Sequence, residues 1–67
     1  MNKVTVGKTV YDIVSVEEIN GKKAYGLKSG NTVKTLCESN SITGWALWGF
    51  DTARRPTMTC PNKVVFH

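Results

Sequence analysis

Apolar and polar positions alternate through most of the first half of the chain, the period of strands with one buried face. The clearest segment runs from Val10 to Cys37. Asn20-Gly21 sits between two runs of strand formers, and that dipeptide suits a type I′ turn, whose two central residues both need positive φ. A two-residue hairpin is predicted. With Ile19 facing Lys22, the register sets Glu18 against Lys23, Val16 against Tyr25 and Val14 against Leu27. A slip of one residue would send Tyr25 and Leu27 to the other side, so the pairing is strongly selected.

Ser29-Gly30-Asn31 reads as a three-residue loop that brings Lys28 opposite Thr32 and Leu27 opposite Val33. One apolar face is then expected from Val14, Val16, Tyr25, Leu27, Val33, Thr35 and Cys37. The reverse face would carry Ile13, Ser15, Glu17, Ala24, Gly26, Lys28, Lys34 and Leu36. The first long strand shows a phase change: Val10 shares the side of Val14, whereas Tyr11 and Ile13 take the other, as in a strand bent between two half-sheets.

Beyond Cys37 the pattern weakens. Glu38-Ser39-Asn40-Ser41 reads as a loop. Ile42 to Phe50 is apolar on both sides, which suits a buried strand better than a helical turn capped by Ser41. Asp51 to Pro56 reads as a polar loop, and Met58–Cys60 and Val64–Phe66 as short strands separated by Pro61-Asn62.

Composition agrees. Eight Val, three Ile and eight Thr stand against three Ala, three Leu and no Gln, the reverse of a helical composition. At 67 residues the chain holds a single domain, 1–67. The fold expected is an all-β antiparallel barrel or meander of five to six short strands. In strand number and length this layout resembles the SH3-like and OB-like small barrels, a resemblance that carries no diagnostic motif. No apolar run reaches membrane-spanning length, and residues 1–8 lead into polar alternation instead of a leader core, so a cytoplasmic protein without membrane contact is expected.

The chemistry-bearing residues are few. Cys37 and Cys60 could form a staple contributing about 3.5 kcal/mol, but Cys37 on an apolar face is read more simply as a reduced, packed thiol. Two cysteines and His67 are too few for a structural zinc site, and neither a metal nor a cofactor is expected. The one histidine, His67, ends the sequence, the glycines match no phosphate loop, and Glu18 is expected to be neutralised by Lys23. Enzymatic activity is therefore not expected.

Charge leaves two binding functions open. Nine basic and five acidic side chains give a net charge of +4. The first function, slightly favoured, is nucleic-acid binding, with Lys22, Lys23, Lys28, Lys34, Arg54 and Arg55 meeting phosphates and Tyr25 or Trp48 stacking on bases. Lys28 and Lys34 would share a face. The alternative is protein–protein interaction, of the kind made by a small phage or mobile-element inhibitor, through Trp45, Trp48 and Phe50 with Arg54 and Arg55 as a rim. Trp45 and Trp48 have opposite parity, so at least one is expected to face outward. Self-association through an exposed strand edge is compatible with either.

Overall fold

The structure is a computed structural model and describes residues 2–67. It is all-β. Seven strands run as β1 (Lys3–Val6), β2 (Thr9–Ile19), β3 (Lys22–Ser29), β4 (Thr32–Glu38), β5 (Trp45–Phe50), β6 (Pro56–Thr59) and β7 (Val64–Phe66). They form one antiparallel sheet in the order β6-β5-β4-β3-β2-β1-β7, with β6 and β7 as unpaired edges, so the sheet is not closed into a barrel. Seven strands replace the expected five to six. The addition is β1, whose Val4 and Val6 alternate inward and pair with Tyr11 and Thr9 across a two-residue turn opened by Gly7 at φ 63°.

The hairpin at Asn20-Gly21 forms as expected. Asn20 and Gly21 both take positive φ, 53° and 78°, and Ile19, Glu18 and Val16 face Lys22, Lys23 and Tyr25. The register then shifts between Ile13 and Ser15, so Leu27 faces Ile13 and not the expected Val14. The extra residue is a β-bulge, and it is the physical meaning of the phase change in this strand: it turns Tyr11 and Ile13 to the side of Tyr25 and Leu27 and leaves Val14 59% exposed.

The next turn differs by one residue from expectation. Ser29 faces Thr32, which leaves Gly30-Asn31 as a two-residue loop with only Gly30 at positive φ, 59°, the pattern of a type II′ turn. Leu27 therefore faces Lys34, and Tyr25 faces Leu36. A shift of one reverses every side chain of a strand. Leu36 is fully buried, whereas Val33 is 62% exposed, and Thr35 and Cys37 leave the apolar side with it. Burying the larger Leu36 is the more favourable choice, each such side chain contributing about 1.5–3 kcal/mol.

The expected strand from Ile42 begins only at Trp45. Ile42 projects into solvent and Gly44 reverses the chain at φ 80°. Ser41 fixes this corner, its Oγ accepting from the Trp45 N–H at 2.9 Å and donating to the Trp45 carbonyl at 2.6 Å. Thr43 Oγ1 donates to the Pro61 carbonyl at 3.0 Å, tying the corner to the segment between β6 and β7. β7 then returns to β1, with Phe66 facing Val4 and Val64 facing Val6.

The core cluster lies on one face of this sheet. Val4, Val6, Tyr11, Leu27 and Leu36 form the buried cluster, and Ile13, Tyr25, Trp45, Leu47, Val64 and Phe66 pack against it. Trp45 and Phe66 sit on strands five steps apart in the sheet, a separation of ~24 Å if the sheet were flat. Their ring centroids are 5.4 Å apart. The sheet is thus coiled until its concave face closes on itself and supplies its own core. The convex face is left without a layer over it.

Candidate binding surface

The convex face presents most of the large exposed apolar side chains, and they concentrate on β4, β5 and β6. Trp48 stands between Thr35 and Met58 in register, and Phe50 faces Pro56. Val33, two residues before Thr35, lies on the same face beside Phe50. Trp48 is 42%, Phe50 70%, Met58 49% and Val33 62% exposed. A groove of about 210 Å³ runs here, lined chiefly by Val33, Thr35, Trp48, Phe50 and Pro56.

The loop between β5 and β6 is tightly built. Asp51 Oδ1 accepts from the N–H groups of Ala53 and Arg55, each at 2.9 Å. The Arg54 N–H donates to the Asp51 carbonyl and the Asp51 N–H to the Arg55 carbonyl, both at 3.0 Å. This geometry sets Arg54 at φ 60°, a conformation that costs a residue with a Cβ about 1 kcal/mol relative to glycine. The loop thus carries an arginine where glycine or asparagine suits the backbone better. Among the described residues the one ion pair is Lys3–Asp12 at 3.8 Å; Lys28 faces Asp12 across the β2–β3 pair without forming an ion pair, and Arg54 and Arg55, in the loop after Phe50, form none either.

The expected site residues are divided by the fold. Trp48, Phe50, Arg54 and Arg55 come together. Trp45 and Tyr25 do not join them: they pack on the concave side, with centroids 5.7 Å apart, and Tyr25 also meets Phe66 at 5.2 Å. Lys28 and Lys34 were expected on one face, but Lys28 faces Val33 and Lys34 faces Leu27, which puts them on opposite faces. Lys34 lies across Gly49, its Nζ 2.8 Å from the position a Cβ there would take. Lys22 and Lys23 stand at the far end of β3, where the Lys23 N–H donates to Glu38 Oε2 at 3.2 Å.

Val33, Met58 and Pro56 are members of the patch that the sequence did not indicate. A three-residue loop at Ser29-Gly30-Asn31 would bury Val33; the two-residue loop turns it outward. The Trp48–Met58 pairing depends on the loop at Asp51, whose only local sign is an aspartate followed by small residues.

Other groups are less organised. Cys37 lies on the convex side between Ala24 and Ala46, away from the face assigned to it, and both it and Cys60 are free thiols. A second groove of about 320 Å³ adjoins it, lined by residues including Ile19, Lys22, Ala24 and Glu38. His67 Nε2 meets Thr5 Oγ1 at 2.6 Å. Among the described residues no three His, Cys, Asp or Glu side chains are grouped to hold a metal ion, and no helix is long and apolar enough to cross a membrane. No family model, curated protein or solved structure matches this chain.

Proposed function

We propose that this chain is a binding module that docks on another protein through the convex face of β4–β6. The observation that carries the reading is the contiguous exposure of Val33, Trp48, Phe50 and Met58 on one face, a cluster of the kind that marks an interaction site when it is apolar, aromatic and rimmed by arginine. Its size suits an inhibitor or adaptor that works by occupying a partner's surface, such as a small phage or mobile-element inhibitor. Edge pairing is a weaker route, because β6 opens with Pro56, which has no N–H to give a new strand.

A photo-crosslinking residue introduced at Phe50, in cells that make the protein, tests this. The reading expects a discrete protein adduct at Phe50 that Trp48→Ala abolishes, and no adduct from the same residue at Val10, which is also exposed but lies on β2. A nuclease-sensitive adduct at Phe50, with no protein adduct, rejects it.

That rejecting outcome corresponds to a second reading, single-stranded nucleic acid stacked on Trp48 and Phe50. Lys28, Arg54 and Arg55, which form no ion pair among the described residues, support it. It receives less support because Tyr25 is packed in the core, Lys22 and Lys23 stand at the other end of β3, and Val33, Met58 and Pro56 offer no aromatic ring for stacking.

A further inference from the structure

We infer that the segment recognised by this face is acidic: an extended peptide stretch or loop in which one large apolar side chain is flanked by aspartate or glutamate. The inference rests on the protein-docking reading and adds the chemistry of the partner.

Size supplies the first part. A groove of about 210 Å³ is below the ~300–1,000 Å³ of small-molecule and cofactor sites. It suits a single side chain. Its walls are the indole of Trp48, the ring of Phe50, Val33 and the Pro56 ring, so an aromatic or large aliphatic group is the complementary occupant.

Charge supplies the second. Lys28 neighbours Val33 across the β3–β4 pair, and Arg54 and Arg55 lie in the loop joining Phe50 to Pro56, two of the lining residues, so three cations stand near one end of the groove. None forms an ion pair among the described residues. Asp51, the nearest acid in the loop, has its Oδ1 engaged by two backbone N–H groups. Of the other acids, Asp12 faces Lys28 across the β2–β3 pair and is ion-paired to Lys3 at 3.8 Å; Glu17 and Glu18 lie further along the same hairpin, facing Ala24 and Lys23, and Glu38 accepts from the Lys23 N–H. Lys3, Lys28, Arg54 and Arg55 against Asp12 and Asp51 leave this end of the groove net positive, so complementary carboxylates would steer and orient a segment seated there, whereas a basic segment would be repelled.

The loop backbone points the same way. Arg54 holds a φ of 60° that asparagine or glycine would adopt with less strain. Backbone strain of this kind collects at functional positions, and here what it retains is a cation beside the groove.

The test is selection of a displayed random peptide library against the wild-type protein, with counter-selection against Phe50→Ala. Phe50 is 70% exposed, so that variant keeps its fold, which a thermal melt verifies. The inference expects enriched peptides that carry a Phe, Trp, Leu or Ile flanked by Asp or Glu. Their affinity falls tenfold or more in Trp48→Ala and about as much in the Arg54→Ser/Arg55→Ser double variant, and the loss in the double variant shrinks at high salt. Enriched peptides that need Phe50 and Trp48 but show no acidic bias overturn the inference and leave the docking reading standing. Failure to enrich any Phe50-dependent peptide also overturns it, and the Phe50 crosslink then decides the docking reading separately. A short oligothymidylate that binds through Phe50 and Trp48 where no peptide does overturns both.

Discussion

Ser15 Oγ occupies the space that a Cβ on Gly26 would require, and Ser15 Cβ lies 3.4 Å from that same point. The contact is local, but the fold turns on it. Ser15 faces Gly26 immediately after the bulge, and the bulge is what moves Tyr11 and Ile13 to the concave side. Gly26→Ala is expected to destabilise the protein by about 1 kcal/mol, within the range for overpacking. Ser15→Ala in that background should restore part of the loss, because it removes the nearer atom. A double-mutant cycle by urea denaturation measures the coupling, and strict additivity would place the bulge elsewhere.

The register of β4 predicts a contrast between two aliphatic residues three positions apart. Leu36→Ala removes a fully buried side chain and should cost about 2–5 kcal/mol, a large share of what so small a core can supply. Val33→Ala removes an exposed one and should stay within about 0.5 kcal/mol. The three-residue loop that the sequence suggested predicts the opposite order. Denaturant midpoints of the two variants distinguish these registers.

The Asp51 loop gives a pair of opposite effects. Asp51→Ala loses the acceptor of two backbone N–H groups and should cost about 1 kcal/mol, the usual net value for exposed capping bonds. Arg54→Gly relieves the positive φ and should be neutral or stabilising by up to about 1 kcal/mol. Arg54→Val, with a branched side chain at that φ, should destabilise. Thermal melts of the three variants check the signs.

What could be read from the sequence depended on how local its cause was. Asn20-Gly21 states its turn in two residues, and the pairing next to it followed correctly as far as Ser15. The bulge was visible as a phase change between Val10/Val14 and Tyr11/Ile13, although a bent strand gives the same pattern. Gly30 supplies a positive φ to a two-residue or a three-residue loop alike, and only the tertiary gain from burying Leu36 decides between them. The pairing of β7 with β1 has no local cause, since Phe66 and Val4 meet only because the whole sheet coils. The same limit applied to the site. Opposite parity placed one tryptophan outward, but which one depends on the register of β4 and so on Gly30. Trp48, Phe50, Arg54 and Arg55 were legible as neighbours because one short hairpin joins them; Val33 and Met58 reach the patch across strands.

The account depends above all on the two tryptophans facing opposite sides of β5, with Trp48 on the docking side. Single-tryptophan proteins, Trp45→Phe and Trp48→Phe, test this by fluorescence with a neutral quencher. The protein that retains Trp48 should emit further to the red and be quenched readily, and its emission should shift to the blue when a peptide enriched on the wild-type surface is added. The protein that retains Trp45 should emit to the blue, resist quenching and stay unchanged on adding the peptide. Equal protection of both indoles, or a peptide response confined to Trp45, would contradict the account.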